Sequence, residues 1–225
     1  MFLWQDANLN LSILIFSVKK SCMDSINTKR IILASKSPRR KELLNQIGMD
    51  IEICPSNIDE NKISINNPVE YVKELARLKA ENIAYLHPGS WVIGADTIVV
   101  IHDQIIEKPR SRSDAISMLN KLNNREHFVY TAFCICNQDS NSYTMKSVVK
   151  SVKTKVYFKN LTDSEIEWYV NTKEPFDKAG GYGIQGVGSF IVKKISGSYT
   201  NVVGLPVCEV VEALINLNLI EFKDL

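Results

Sequence analysis

The chain is short of net charge. Lys and Arg number 27 against 25 Asp and Glu, a formal net charge of +2 over 225 residues. Proteins that coat nucleic acid carry a strong basic excess, so that class is set aside; a local basic pocket for a small anion is not. Histidine is scarce. His87, His102 and His127 are scattered, and none has a nucleophile or a metal partner at a recognisable spacing. The cysteines, Cys22, Cys54, Cys134, Cys136 and Cys208, are odd in number and fit no zinc module. Cys134 and Cys136 alternate in an apolar run and read as reduced thiols serving as small hydrophobes, which points to a reducing, cytoplasmic setting. No long hydrophobic run exists. Leu9 to Val18 is apolar, but about ten residues are too few to span a bilayer. Asp6 stands where a secretory signal would be basic, and no small-residue cleavage site follows. Residues 1–29 are expected to be an N-terminal extension, disordered or arising from a start placed ahead of Met23, in preference to a targeting segment. Repeats and low-complexity tracts are absent. So are G-x-x-x-x-G-K-[ST] and a G-x-G-x-x-G in a strand-to-helix turn.

What is present is an ordinary globular mixture, 45% hydrophobic and 23% charged. That suffices for a sizeable core in one large domain or two lobes. Ile31 to Ala34 reads as a short buried strand. Ser37 is the expected cap of a helix that Pro38 opens and Gly48 stops. Asn67-Pro68 starts a second helix, with Glu70 placed to close a capping box; His87-Pro88-Gly89 ends it. Trp91 to Ile101 is a strand, apolar except at Asp96 and Thr97. Ser113 to Leu122 is helical. Phe128 to Cys136 and Ser147 to Phe158 read as strands joined by a polar turn around Asn137 to Asn141. Thr162 and Glu165 form a capping box for a helix through Val170. A glycine-rich stretch runs from Gly180 to Gly188. Phe190 to Ile195 is expected as a strand, and Pro206 opens a last helix through Ile215. Strands alternating with helices indicate an α/β protein, and the short turns between some strands make the central sheet mixed.

Four segments carry candidate chemistry. Ser35-Lys36-Ser37-Pro38-Arg39-Arg40 lies between a strand and a helix N-terminus, where free N–H groups and partial positive charge suit a phosphate. Its arginines can grip phosphate oxygens in forked pairs. The plainer reading, a capped helix with a solvated basic turn, has to place cations where the dipole disfavours them. In Gly94-Ala95-Asp96-Thr97-Ile98-Val99, an acid inside an apolar strand either pairs with a lysine or faces a cleft to hold a metal or activate water. Glu107-Lys108-Pro109 offers a lysine beside a turn, alone no more than a surface feature. In Asp177-Lys178-Ala179-Gly180-Gly181-Tyr182-Gly183-Ile184-Gln185-Gly186, glycines allow close backbone approach, and the Gln185 amide can both donate to and accept from a base edge.

In this order, these segments resemble the Maf family of nucleotide pyrophosphatases. Gly197-Ser198-Tyr199 and Asn201-Val202-Val203-Gly204-Leu205-Pro206 add to the likeness. The resemblance covers residues 30–225. It implies a two-lobed α/β fold, with a mixed, elongated central sheet flanked by helices and a substrate cleft, of the Maf and inosine triphosphate pyrophosphatase type. It also implies hydrolysis between the α- and β-phosphates with Mg²⁺ or Mn²⁺. By position, Asp96 matches the catalytic acid, and Glu60 and Asp96 together match the carboxylates that would hold the metal. Ser35, Arg39, Arg40, Lys79, Lys108 and Gln185 match pocket residues. Arg39, Thr97 and Gln185 match the triple that goes with dTTP and UTP. The implied partners are a nucleoside triphosphate and a second copy of the chain in a homodimer, with no nucleic acid and no membrane. Two alternatives stay open, a 7-methyl-GTP pyrophosphatase of the same family and an inactive nucleotide-binding regulator; a nucleic-acid binder would need an extended basic face with aromatic stacking platforms, which the near-neutral charge disfavours.

Overall fold

The computed structural model describes residues 26–28, 30–142 and 144–222. Residues 1–25 and 29 of the expected extension lie outside the described residues. Its remaining piece, Ile26–Thr28, is strand β1.

The unbroken branched run Ile31–Leu33 forms β2, buried at every position, as strands covered on both faces are. β2 runs parallel to β3 (Glu52–Ile53) on one side and to the start of β4 (Trp91–Ile101) on the other, with Ile31 opposite Trp91 and Leu33 opposite Ile93. β4 turns at His102 and Asp103, both left-handed with φ of 48° and 60°. That geometry matches the strand twist of a two-residue hairpin, and the chain returns as β5 (Gln104–Ile106) against Val99 to Ile101. β6 (Glu126–Gln138), β7 (Met145–Phe158) and β8 (Val192–Ser196) continue antiparallel. The order β3-β2-β4-β6-β7-β8, with β5 on β4, is the mixed elongated sheet expected. A separate pair joins β1 to β9 (Ile220–Phe222).

Helices α1 (Pro38–Gln46), α2 (Pro68–Leu86), α3 (Arg112–Leu122), α4 (Asp163–Asn171), α5 (Tyr199–Val203) and α6 (Val207–Asn216) cover the sheet. Successive strand side chains alternate between faces, and β4 shows how this divides the core. Its even-numbered Val92, Ile98 and Val100 pack with Val72, Ala76 and Ala80 of α2 on one face. On the other face, Ile93 and Ala95 join Leu44, Val210 and Leu214 of α1 and α6. Further along that face, Val99 and Ile101 join Leu119, Ile166 and Tyr169 of α3 and α4. Two apolar clusters thus share one face, and Thr97 falls between them.

The sheet also leaves an opening there. β2 pairs with β4 only as far as Ile93 and β5 only from Val99, so residues 94–98 have no strand neighbour on that edge. The chain leaves β2 at this point to start α1. Across the opposite face, α2 comes unusually close. A Cβ on Gly94 would lie 2.4 Å from Ala76 O and 2.5 Å from Ala80 N. Small residues on both sides let the backbones touch, and that contact presents Lys79, between the two alanines, to β4.

Three local expectations differ. Ser37 has extended backbone at the start of α1, but its side chain makes no cap bond; its own N–H donates to Ser35 Oγ instead. The first turn of α1 therefore keeps its N–H groups for another partner. Asn67 caps α2 by accepting from Val69 and Glu70 N–H, whereas the Glu70 carboxylate pairs with Lys73 one turn on and does not close a box. Phe190 belongs to a 3₁₀ turn, Gly186–Phe190, and the strand begins only at Val192, because the glycines preceding it favour tight turning over extension. The Thr162–Glu165 capping box is formed in full. Among the described residues no helix is long and apolar enough to cross a membrane.

Candidate active site

A cleft of about 560 Å³ opens at the free edge of β4. Every residue singled out from the sequence lines it: Ser35, Arg39, Arg40, Glu60, Lys79, Asp96, Thr97, Lys108 and Gln185. The lining is electropositive. Lys36, Arg39, Arg40, Lys79, Lys108 and Lys178 face Glu60, Asp96 and Asp177.

At one end stands an ion triad. Lys79 Nζ lies 2.6 Å from Asp96 Oδ1 and 2.8 Å from Glu60 Oε1. Asp96 and Lys79 are only 13% and 11% exposed at their side chains, while Glu60 is 52% exposed. The pair is deep and the second carboxylate is at the rim. Glu60 comes from a 3₁₀ turn, Glu60–Lys62, on the loop after β3. The sequence left open whether Asp96 pairs with a lysine or faces a cleft; it does both.

Beneath the cleft floor runs a buried polar network. Arg40 donates through Nε to Gly204 O at 2.7 Å, through Nη1 to Ser35 Oγ at 3.0 Å and through Nη2 to Thr97 Oγ1 at 3.0 Å. Burial works against its charge, and the nearby Asp96 carboxylate offsets that. Three of its five donors are therefore committed to the protein, leaving a shaped floor and only two N–H groups for a ligand. Thr97 Oγ1 also meets Thr131 Oγ1 at 3.0 Å, and Thr131 donates to Asn201 O at 2.8 Å. Asn201, fully buried, donates to Val129 O and Thr154 Oγ1. This network fills the seam between the two apolar clusters on that face. Thr131 and Asn201 escaped the sequence reading. The signal that could have found Thr131 is a hydroxyl directly before the apolar run Ala132–Cys136 of the same strand, and Asn201 sits in a segment singled out only by resemblance.

Arg39 points the other way, across the cleft. Its Nη1 donates to Asp177 Oδ2 at 2.8 Å, and Lys178 Nζ lies 2.6 Å from Asp177 Oδ1. These two cations hold the Asp177 carboxylate below the usual range, although partial burial acts against them. Lys36 and Lys108 are exposed and form no ion pair among the described residues. Gln185 is exposed at the lip on the glycine-rich stretch, whose Gly180 has φ of 73° and sits 2.9 Å from Val99 Cγ2 when given a Cβ.

Away from the cleft, His87 does have a sulfur partner after all: its Nε2 is 3.6 Å from Cys54 Sγ. The two lie far apart in sequence, so no spacing reveals the contact. Cys134 and Cys136 are free and buried, as small hydrophobes. No group of three or more His, Cys, Asp or Glu side chains gathers among the described residues.

Comparisons with known proteins give the chain's family. The family model described as Maf-like protein matches residues 30–217. The dTTP/UTP pyrophosphatase of Syntrophus aciditrophicus (strain SB) is 46% identical over 196 residues, 87% of this chain and 94% of its own length. That of Geotalea uraniireducens (strain Rf4) is 48% identical over 191 residues, 85% of this chain and 96% of its own. Among solved structures, the Ham1 protein of Staphylococcus aureus aligns with a TM-score of 0.43 at 18% identity, over 73% of this chain and 80% of that one. With the family model spanning most of its length and relatives this near, the chain belongs to the Maf-like protein family.

Proposed function

We propose that the chain hydrolyses dTTP and UTP between the α- and β-phosphates, releasing a nucleoside monophosphate and pyrophosphate. The observation that carries the reading is the convergence of Asp96 and Glu60 on one ammonium, at 2.6 and 2.8 Å, inside an electropositive cleft at a helix start. The names of the relatives support the substrate. The catalytic domain is assigned to residues 30–225, with an extension before it, acting in the cytoplasm as a homodimer.

Asp96 and Glu60 are the residues that would hold Mg²⁺ or Mn²⁺. Their chemistry fits. Both offer hard carboxylate oxygens, both already reach a single cationic atom, and magnesium sites commonly use one or two carboxylates plus substrate phosphates. When bound, such an ion neutralises phosphate charge and acidifies a water.

The chain's own groups do the rest. The uncapped first turn of α1 presents N–H groups to the phosphates. Lys36 and Lys108 add mobile positive charge, and Arg39 is the arginine with a free approach to phosphate once the anion replaces Asp177. Arg40 acts from below, holding Ser35, Thr97 and the Gly204 carbonyl in one arrangement. Asp96, whose Oδ1 is held by Lys79, has Oδ2 left either to accept the proton of the attacking water or to hold the metal. Pyrophosphate is a stable leaving group, so no covalent enzyme intermediate is needed. Gln185 reads the pyrimidine edge. A base with the wrong donor and acceptor pattern leaves that amide unpaired, and the mismatch is rejected.

The test is a panel of triphosphates with Mg²⁺ or Mn²⁺, with the products identified. UTP and dTTP should give monophosphate and pyrophosphate. Turnover of 7-methyl-GTP alone would reassign the base site, and tight binding with no turnover would make the chain a regulator.

A further inference from the structure

A side chain that reads a base edge from an exposed, glycine-rich stretch needs its backbone fixed from outside. Flexible backbone would let the Gln185 amide follow any base, and discrimination would vanish. The segment around Gln185 is fixed from one side by two residues that the proposed chemistry does not use. Glu174 Oε2 accepts from Val187 N–H at 2.9 Å, and Glu174 Oε1 accepts from Gly188 N–H at 3.0 Å. Tyr169 hydroxyl donates to the same Oε1 at 3.0 Å and accepts from Gly183 N–H at 3.1 Å. The backbone groups held are at 183, 187 and 188, so the clasp brackets Gln185 on both sides while leaving its amide free at the cleft.

The fit is close enough to dictate the neighbours. Gly186 has φ of 70°, and a Cβ there would come 2.9 Å from Glu174 Oε2. A Cβ on Gly188 would lie 2.6 Å from both Gly183 O and Tyr169 hydroxyl. The clasp itself is anchored. Tyr169 is fully buried, Lys178 Nζ donates to Glu174 O at 2.8 Å, and Thr172 Oγ1 accepts from Glu174 N–H at 3.2 Å. A carboxylate accepting from two backbone N–H groups and a phenol makes charge-assisted bonds, which are shorter and stronger than neutral ones.

We infer that Glu174, supported by Tyr169, is a positioning residue for base selection, holding the backbone that aims Gln185. This rests on the reading of Gln185 as the base-contacting residue. Glu174 is not among the residues that line the cleft. Its influence should therefore appear in the choice between bases and not in the chemical step.

The experiment is a double-mutant cycle on the ratio of kcat/KM for UTP over GTP, using the full chain with Mg²⁺. Glu174→Gln keeps the shape but replaces one acceptor oxygen by a donor NH₂ group, so it cannot accept all three bonds. It should lower the ratio about tenfold, mainly through KM for UTP, with kcat for UTP within about twofold of wild type. Glu174→Asp should restore part of the ratio. In a Gln185→Ala background, Glu174→Gln should change the ratio no further. Tyr169→Phe should shift the ratio in the same direction by less, and it decides the matter if Glu174→Gln does not fold. A ratio unchanged by Glu174→Gln while Gln185→Ala collapses it overturns the positioning role alone. A ratio unchanged by Gln185→Ala overturns the base-reading role and this inference with it. Equal losses from Glu174→Gln in both backgrounds show a route that does not pass through Gln185, and also overturn it.

Discussion

The ammonium of Lys79 lies 2.6 Å from Asp96 Oδ1, at the one stretch of β4 that has no strand beside it on the cleft edge. Lys79 reaches that point because α2 touches β4 at Gly94. Both side chains are largely enclosed. Their separation in sequence is bridged by a backbone contact and not by a motif. The acid that the sequence marks as chemical and the cation that holds it are thus products of one packing event.

Asp96→Asn nearly preserves the shape while removing the negative charge and the proton acceptor. The protein should fold with an unfolding midpoint close to wild type, and kcat should fall by about 100-fold or more, the usual scale of general-base loss. Steady-state turnover of UTP together with urea denaturation checks both halves. Turnover near wild type removes the base role from Asp96.

Gly94→Ala places a methyl group where Ala76 O and Ala80 N already stand. Overpacking of this kind costs about 1–3 kcal/mol, and α2 must move to relieve it, carrying Lys79 away from Asp96. The urea midpoint should drop, and UTP turnover should drop further than the residual folded fraction explains. A variant that loses stability but keeps full specific activity separates the α2 contact from the site.

Thr131→Val removes the hydroxyl that links Thr97 to Asn201 O while keeping the volume. Asn201 O keeps its bond from Gly204 N–H, so the variant loses one buried hydrogen bond, at a cost of about 0.5–1.5 kcal/mol. Equilibrium unfolding should show the loss with an unchanged slope against denaturant. An unaltered midpoint would mean the seam between the two apolar clusters does not depend on this network.

His127 is buried against Phe158 and Tyr182, with Nε2 2.8 Å from the Tyr182 hydroxyl and Nδ1 lacking a partner. Burial pushes its pKa down from 6.5 to about 3. The folded form therefore resists a proton that the unfolded chain takes up. His127 contributes no pH dependence above about pH 6.5, and stability falls as pH drops from there toward 3, by about 1.4 kcal/mol per unit from this group alone. Denaturation curves between pH 7 and pH 4 should show that decline, and His127→Gln should make it shallower. Parallel declines in the two proteins would show that other groups account for it.

Much of this site was legible because its parts are contiguous in sequence. Ser35 to Arg40 is readable as a strand end, a helix start and two arginines, and Asp96 as an acid in an apolar strand. The division of labour between the arginines was not readable. Adjacent residues on a first helical turn project in different directions, so Arg40 enters the floor and Arg39 crosses to Asp177. The capping serine was misjudged for a related reason. Ser37 has the right residue type and backbone, but its N–H donates to Ser35 Oγ and its hydroxyl makes no cap bond. The clasp of Glu174 on Val187 and Gly188, the Thr131–Asn201 link and the Cys54–His87 contact are long-range pairings set by how elements pack, and no local pattern announces them.

The most direct test follows the oxygen of water. Hydrolysis of UTP is run in water enriched in heavy oxygen, with Mg²⁺, and the products are separated and weighed by mass spectrometry. Attack at the α-phosphate, beside Asp96, puts the label in the monophosphate and leaves the pyrophosphate unlabelled. Label in the pyrophosphate, or products consisting of the diphosphate and orthophosphate, would contradict the assignment of this cleft.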